Sequence, residues 1–393
     1  MSREVVVVSG VRTAIGDYGS ALKDIAPTEL AAKVAREAVA RARIDPGEVG
    51  HVVFGNVIHT EPKDMYLSRV AMILAGLGHH TPAMTLNRLC GSGMQAIVSA
   101  AQTIMLGDAD IALAGGAESM SRAGYLMPTL RWGQRMGDGS TVDMMVGALT
   151  DPFDTVHMGI TAENVAAKWN ISREQQDEFA VESHRRAVNA IQKGYFKEQI
   201  LPVELKTRKG VTLFDTDEHP RADASLESMA KLRTAFKKDG TVTAGNASSI
   251  NDGAAAVVLM EAGAAAKKGL KPMARLLAYG HAGVDPKYMG IGPVLAVQSA
   301  LARAGLKVSD MDVVESNEAF AAQACAVAKD LKFDPAKTNP NGGAVALGHP
   351  IGATGVLLTV KALYELQRSG GRYALVTMCI GGGQGIAAIF ERM

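Results

Sequence analysis

The chain has 393 residues, which is too long for one compact core and predicts two or three domains. Its composition, 47% hydrophobic, 21% charged and 5% aromatic, is typical of a globular protein, and a net charge of +1 excludes a strongly basic surface for nucleic acid or an anionic membrane. Three cysteines, Cys90, Cys325 and Cys379, form no disulfide framework and no CxxC pair, which favours a reducing compartment.

The segment MSREVVVVSG leads directly into a strand, and we see no signal-peptide pattern and only short apolar runs. We therefore expect a cytoplasmic protein without a membrane span.

Strands and helices alternate through the first 120 residues. Residues 4–9 predict a buried strand, 30–43 an alanine-rich amphipathic helix, 49–54 a second strand, and 111–114 another. This alternation predicts parallel βαβ units, with helices that cover the sheet.

The first reactive candidate is Cys90, in LNRLCGSGMQAI, where a strand-like segment gives way to glycine and serine and a helix begins. Apolar residues recur at helical spacing from Met94 to Met105, and Gly107 ends the helix. A thiol at a helix N-terminus faces unpaired backbone N–H groups that stabilise the thiolate, so Cys90 could be a nucleophile. A small buried core thiol has the same pattern.

Residues 121–245 carry more charge and proline and only short, interrupted patterns, as in RWGQRMGDGS. Such an insertion over an α/β scaffold often carries ligand contacts, although it could equally be a solvated cap. The pattern is regular again in TVTAGNASSINDGAAAVVLM, from 241 to 260, which we assign to the end of the first half.

The C-terminal part repeats the order of the N-terminal part. AVARARIDPGEV reappears as ALARAGLKVSDM, and each leads into an apolar strand. We predict a tandem duplication: residues 1–120 with 246–270 form the N-terminal half, 121–245 an inserted loop domain, and 271–393 the C-terminal half.

Three more candidates lie in the second half. His349, between glycine turns in NGGAVALGHPIGATG, could reach a neighbouring group with one ring nitrogen while backbone atoms orient the other. A strand delivers Cys379 into the glycines of CIGGGQG, where backbone N–H groups could approach a substrate oxygen. Asn317, in VESNEAFAAQ, could simply cap the helix that follows it.

All four candidates fall at the ends of strands, where α/β sheets bind ligands. Two cysteines, a histidine and an amide that converge there could supply a nucleophile, its base, a second base and an oxyanion donor. The spacings match no structural zinc pattern, so we predict no metal site. Cys325 lies inside a predicted helix and is expected to pack in the core.

These motifs resemble those of the thiolase family. The resemblance is carried, in order, by LNRLCGSGMQAI, NEAFAAQ, NGGAVALGHPIGATG and CIGGGQG, and HMGITAENVA and GTVTAGNASSINDGAAAVVLM resemble its loop-domain and central signatures. It covers essentially the whole chain and implies an α/β fold of duplicated βαβ halves, a layered αβαβα core with an inserted loop domain. Within the family the chain is similar to bacterial biosynthetic acetyl-CoA acetyltransferases and β-ketothiolases of the polyhydroxyalkanoate pathway.

The resemblance implies reversible Claisen condensation of two acyl-CoA molecules to 3-oxoacyl-CoA and CoA. Cys90 would accept the acyl group while His349 takes its proton. Cys379 would remove the α-proton of the second acyl-CoA, with His349 and a water held by Asn317 at the enolate oxygen. The backbone N–H groups of Cys90 and Gly381 would hold the tetrahedral oxyanion.

The resemblance also implies that CoA thioesters bind on the loop domain as substrates, with no separate cofactor. The matching positions are His157, Met158, Arg221, Phe236, Ala244, Ser248, Met289 and Phe320. Arg221 would contact the nucleotide end, and the apolar residues would line the pantetheine and acyl channel. Family members suggest a homotetramer, a dimer of dimers, with residues 125–143 between dimers.

Several alternatives stay open. A degradative 3-ketoacyl-CoA or β-ketoadipyl-CoA thiolase would use the same residues, and preference for propionyl or longer chains depends on pocket shape. A non-catalytic lipid-binding relative would not need Cys90, Cys379, His349 and Asn317 together, and a cysteine hydrolase gives Cys379 no role. Two thiols at one pocket could also form a regulatory disulfide.

Overall fold

The computed structural model describes residues 3–207 and 210–393. Four residues lie outside the described residues: Met1 and Ser2 of the predicted N-terminal half, and Arg208 and Lys209 of the predicted loop domain. The strands are β1 (Val5–Arg12), β2 (Gly16–Asp17), β3 (His51–Gly55), β4 (Ala83–Leu86), β5 (Ile111–Ser119), β6 (Tyr125–Leu126), β7 (Val142–Asp143), β8 (Val203–Thr207), β9 (Gly210–Phe214), β10 (Asn251–Glu261), β11 (Ala274–Gly283), β12 (Val313–Ser316), β13 (Tyr373–Ile380) and β14 (Gln384–Arg392). The α-helices are α1 (Pro27–Ala42), α2 (Leu67–Ala75), α3 (Ser92–Leu106), α4 (Met144–Ala148), α5 (Met158–Trp169), α6 (Arg173–Gln192), α7 (Leu226–Ala230), α8 (Ala262–Lys267), α9 (Gly292–Ala304), α10 (Ala321–Leu331), α11 (Ala344–Leu347) and α12 (Thr354–Ser369). Short 3₁₀ helices cover Pro46–Glu48, Pro62–Tyr66, Met120–Arg122, Leu130–Trp132, Pro286–Ile291 and Val308–Asp310.

One sheet runs through both halves of the protein. Its strand order is β12-β13-β14-β11-β1-β10-β5-β3-β4, with β2 paired to β10. The two halves meet where β1 pairs with β11 over a short register, Val6 opposite Arg275 and Val7 opposite Ala274. Each half therefore contributes its own group of strands, joined at a narrow seam.

The parallel sheet predicted from the alternation of elements is present only at the outer strands. β3 pairs in parallel with β4 and β5, and β12 pairs in parallel with β13. The inner pairings, β1 with β10, β10 with β5, β11 with β14 and β13 with β14, are antiparallel. The prediction is wrong here because parallel neighbours need a crossover connection, whereas a tight glycine turn joins β13 directly to β14.

Helices α3 and α12 form the middle layer of the molecule. They pack against each other, and both contact strands of the two halves, while α1 and α9 pack against the strands of separate halves. The stretch Leu89–Leu106 is long and apolar enough to cross a membrane by composition, but 56% of it is buried inside the protein, as in a core helix. The predicted fold class, a layered α/β core, is confirmed. The proposed domain limits stay a prediction.

A fully buried ion pair ties the inserted segment to the end of β1. The guanidinium of Arg12 donates to both carboxylate oxygens of Asp217, at 2.7 and 2.9 Å, and to Gln199 Oε1 at 2.8 Å. Asp217 also accepts the backbone N–H of Ile15 at 2.8 Å. Residues just after Asp217, which include the predicted CoA contact Arg221, are thereby held against the N-terminal half.

Replacing Asp217 by alanine should destabilise the protein strongly, because it leaves the Arg12 guanidinium buried without its anion. We expect a loss of about 3–5 kcal/mol. The measurement is the urea midpoint of unfolding, followed by circular dichroism. Glu37→Ala, which removes a pair with Arg41 on helix α1 that is partly open to solvent, is the control and should cost only about 0.5 kcal/mol. Equal midpoints for the two variants would contradict the role given to the buried pair.

Candidate active site

A strained turn presents Cys90 just ahead of helix α3. Leu89 has φ of 46°, in the left-handed region that a branched side chain rarely adopts. The hydroxyl of Ser92 closes the turn, since it accepts the N–H of Arg88 at 2.8 Å and donates to the carbonyl of Leu89 at 2.7 Å. Backbone strain of this kind concentrates at functional sites.

The expectation that the helix N-terminus holds Cys90 as a thiolate is wrong. Burial raises the pKa of the Cys90 thiol to about 11, even though the sulfur reaches the wall of a cavity. The backbone N–H groups of Gly381 and of Cys90 itself hydrogen-bond to the sulfur and lower its pKa, but desolvation is the larger effect. At neutral pH Cys90 is therefore mainly a thiol, and a role as nucleophile would require a base.

His349 is buried, and both its backbone and its ring are held. Its Nδ1 lies 2.7 Å from Thr354 Oγ1, and that hydroxyl donates to the carbonyl of Pro350 at 3.0 Å. Because the hydroxyl has one proton, we assign the proton between ring and hydroxyl to Nδ1, which leaves the lone pair on Nε2. A threonine side chain orients the ring, and the expectation that backbone atoms do so is wrong.

Burial also keeps His349 neutral, because desolvation lowers its pKa to about 4. The amide Nδ2 of Asn317 lies 3.4 Å from His349 Nε2. Asn317 does not cap the next helix, since α10 begins at Ala321 and Phe320 holds the capping position without a side-chain bond. Among the described residues Asn317 Oδ1, although buried, has no hydrogen-bond partner, so it is available to a ligand or a water.

Cys379, the last residue but one of strand β13, is fully buried beside Cys90. Desolvation raises the pKa of its thiol far above the ordinary value, and a negative charge on Cys90 raises it further, so the two sulfurs are close enough to interact. The side chain packs with Met158, Met289 and Phe320. The structure thus brings together two thiols that are 289 positions apart in the sequence.

A cavity of about 610 Å³ opens beside these groups. Cys90, His349 and Gly381 line it, whereas Cys379 and Asn317 are buried beside them and do not. All eight predicted CoA contacts also line this cavity, namely His157, Met158, Arg221, Phe236, Ala244, Ser248, Met289 and Phe320. The ring of His157 stacks on Phe236 with centroids 4.6 Å apart and an interplanar angle of 16°.

Sequence reasoning missed several residues of the site. Asp17, Tyr18 and His219 line the cavity with Arg221, and an apolar group surrounds Cys90. That apolar group is formed by Met120, Ala148, Leu149, Ile250 and Ile351. These residues come from segments far apart in the chain, and no local spacing or motif distinguishes them from core residues.

Glu118 is a second buried group that the sequence did not reveal. Its carboxylate accepts the backbone N–H groups of Val57, Ile58 and Gly352 and the amide of Asn56, at 2.8 to 3.1 Å. Burial raises its pKa to about 8, while these donors lower it. The carboxylate holds the turn that follows His349 against the end of strand β5.

The chain is similar to known proteins over its whole length. Residues 5–263 match the family described as "Thiolase, N-terminal domain" and residues 270–392 match "Thiolase, C-terminal domain". Beta-ketothiolase BktB of Cupriavidus necator is 69% identical, with 100% of both chains covered, and acetyl-CoA acetyltransferase of Chromobacterium violaceum is 52% identical over 99% of this chain and 100% of its own. The crystal structure of human mitochondrial 3-ketoacyl-CoA thiolase in complex with CoA is 45% identical, with a TM-score of 0.97 and coverage of 100% of this chain and 98% of that one.

The raised pKa of Cys90 predicts how the thiol reacts with a neutral alkylating reagent. Below its pKa the thiolate fraction grows about tenfold per pH unit, so the rate of carbamidomethylation by iodoacetamide should still rise between pH 7 and 10. The measurement is the labelled Cys90 peptide by mass spectrometry, with free glutathione as the control, whose rate levels off earlier. A plateau for Cys90 near pH 7 would instead indicate a preformed thiolate–imidazolium pair.

Proposed function

The chain belongs to the thiolase family, and we propose that it is an acetyl-CoA C-acyltransferase, a β-ketothiolase, which condenses two acyl-CoA molecules reversibly to 3-oxoacyl-CoA and CoA. The observation that carries this proposal is that Cys90 and His349 line one cavity while Cys379 is buried beside Cys90, since a single nucleophile would suffice for hydrolysis. The second thiol gives the site a base for carbon-acid chemistry.

In the first step Cys90 takes the acyl group. Its thiol proton passes to His349 Nε2 as the sulfur attacks the thioester carbonyl, and His349 then returns the proton to the departing CoA sulfur. Pairing a thiol of pKa about 11 with an imidazole of pKa about 4 disfavours proton transfer before substrate arrives. The N–H groups of Gly381 and Cys90, which hydrogen-bond to the sulfur, are the donors proposed for the tetrahedral oxyanion.

In the second step Cys379, as a thiolate, takes an α-proton from another acyl-CoA. The enolate carbon attacks the acyl carbon, the bond from that carbon to the Cys90 sulfur breaks, and Cys90 recovers a thiol proton from Cys379. A thiol whose pKa is raised by burial gives a rare but strongly basic thiolate, which suits a weak carbon acid. Asn317, with its unpaired Oδ1, is proposed to hold a water at the enolate oxygen.

We propose that CoA thioesters are the substrates and that no separate cofactor takes part. Polar groups, Arg221 and His219, are available for the nucleotide end of CoA, and Met158, Met289 and Phe320 line the cavity for the pantetheine and acyl parts. Among the described residues no three side chains of the usual metal-ligand types lie together.

The assembly and the cell compartment stay predictions. A cytoplasmic homotetramer is proposed, and the residues that follow strand β5 support contact with another copy: Tyr125, Trp132 and Met136 are 67%, 88% and 90% exposed. Exposed apolar groups in such number mark an interaction surface. The chemistry is the same in the synthetic and the degradative direction. Metabolite levels therefore determine whether the reaction serves polyhydroxyalkanoate synthesis or degradation.

Mass spectrometry after incubation with acetyl-CoA alone tests the proposed roles of the two cysteines. We expect an acetyl group on Cys90, none in Cys90→Ser, and an adduct in Cys379→Ala that no longer condenses with a second acetyl-CoA. Removal of a catalytic base costs about 100-fold or more in rate. Normal condensation by Cys379→Ala, or rapid hydrolysis of the wild-type adduct, would refute the mechanism.

The apolar group around Cys90 supports acceptance of acyl chains longer than acetyl. Cys90 packs in one cluster with Ile58, Met120 and Ile351, and Ala148 on helix α4 is the smallest of the side chains that line the cavity there. A small side chain beside the acylated sulfur leaves room for additional methylene groups.

Ala148→Leu should shorten the range of accepted acyl chains. The larger side chain fills space next to Cys90, and each methylene displaced is worth about 1–3 kcal/mol, so thiolysis of 3-oxohexanoyl-CoA should fall about tenfold or more relative to acetoacetyl-CoA. The comparison is kcat/KM for the two substrates. Val146→Leu, a change at an exposed position of the same helix, should leave the ratio unchanged. An unchanged ratio in Ala148→Leu would place the acyl chain elsewhere.

A further inference from the structure

Asn251, the first residue of strand β10, places its side chain against the backbone of His349. Its Oδ1 accepts the backbone N–H of His349 at 2.8 Å and the hydroxyl of Ser249 at 2.9 Å. Its Nδ2 donates to the carbonyl of Gly16 and to Asp17 Oδ1, each at 3.2 Å. Because a backbone N–H can only donate and a carbonyl can only accept, these partners fix the orientation of the amide and fill all four of its bonding positions.

The backbone beside His349 is shaped to admit this amide. Gly348 has φ of 105°, and a Cβ at that position would overlap the side chain of Asn251. Glycine is therefore required for two reasons, the backbone conformation and the close approach of the amide. The buried amide of Asn251 contacts both Gly348 and His349, the proposed base. It therefore does more than pack in the core.

Asn251 is itself hydrogen-bonded to Asp17, a residue that lines the cavity. Asp17, which receives one of its N–H groups, also lies 2.9 Å from His219 Nδ1 through the same Oδ1 atom. The backbone N–H of Asp17 donates to Glu218 at 2.7 Å. A continuous chain of hydrogen bonds thus runs from His219 at the cavity wall through Asp17 and Asn251 to His349.

We propose that Asn251 is a positioning residue for the acyl-transfer reaction, because it fixes the main chain of His349 while Thr354 fixes the ring. The inference rests on the proposed role of His349 as the base. With the N–H of His349 held by Asn251 and Nδ1 held by Thr354, the residue is fixed at both its main chain and its ring. An error of about 1 Å in such a group can cost about 100-fold in rate.

Asn251→Asp tests the proposal with little change in shape. The new side chain keeps an oxygen for the N–H of His349, but it loses both donors and places a carboxylate next to Asp17. We expect kcat for acetoacetyl-CoA thiolysis, per Cys90 that can be acetylated, to fall about 10- to 100-fold. KM should not change, because Asn251 does not line the cavity.

The pH profile distinguishes positioning from a merely structural role. A carboxylate beside the introduced aspartate disfavours its ionised form and raises its pKa, so as the pH is lowered a shared proton should replace the lost donor and kcat should recover relative to wild type. His219 and Glu218, the other titratable groups bonded to Asp17, are the same in both proteins. Asn251→Ala should show the loss of kcat without this recovery.

Gln176→Glu is the matched control. It changes another fully buried amide, on helix α6, to a carboxyl group, and that amide donates to the carbonyl of Ile171 and to the hydroxyl of Thr241 rather than to a partner of His349. It should lower thermal stability and leave kcat per acetylated site unchanged.

Each outcome decides the proposal. If wild type forms no acetyl-Cys90, the proposed function fails. If wild type forms acetyl-Cys90 and the Asn251 variants also acetylate and turn over at the wild-type kcat, positioning by Asn251 is overturned. If the Asn251 variants do not fold, Asp17→Ala decides whether the proposal stands. The Asp17 side chain is 33% exposed, and its removal takes away only one partner of the Asn251 amide. A kcat several-fold below wild type at saturating substrate supports the role, and a wild-type kcat overturns it.

Discussion

Desolvation of three titratable groups in one place determines how this site works. Burial raises the pKa of Cys90 and Cys379 and lowers that of His349, so each of the three prefers its neutral form. At neutral pH none of these three side chains therefore carries a charge in its preferred form. In the proposed mechanism charge develops during the reaction, and the N–H groups of Gly381 and Cys90 are the donors proposed for the oxyanion.

The duplication explains how these groups come to meet. Cys90 precedes α3 in the first half and His349 precedes α12 in the second, and the starts of these two helices touch through glycine. A Cβ on Gly355 would overlap Met94, and one on Gly93 would lie 2.9 Å from the backbone of the partner helix. Because the two helix N-termini approach so closely, the turns that carry Cys90 and His349 are neighbours, although they lie far apart in the sequence.

The sequence predicts the fold class correctly and singles out the candidate reactive residues, because both leave local marks. Strand β5 and helix α1 follow from hydrophobic periodicity, and Cys90, His349 and Cys379 stand in glycine-rich turns. The errors have one physical cause. Strand direction, the partner of His349 Nδ1 and the supposed cap at Asn317 all depend on which distant segments pack together, and a hydrogen bond from Thr354 or Asn251 has no local signature. The apolar group around Cys90 was missed for the same reason, since its members read as ordinary core.

The two asparagines near His349 show how hydrogen-bond satisfaction separates support from chemistry. A buried polar atom left without a partner costs about 1–3 kcal/mol, so pairing with a water or a ligand atom is favourable there. Asn251 has all four positions filled by protein and can give nothing to a substrate, whereas Asn317 keeps Oδ1 unpaired among the described residues. The first amide can hold the base in place, and only the second can hold a water or a substrate atom. Their different surroundings therefore assign them different tasks, although the side chains are chemically the same.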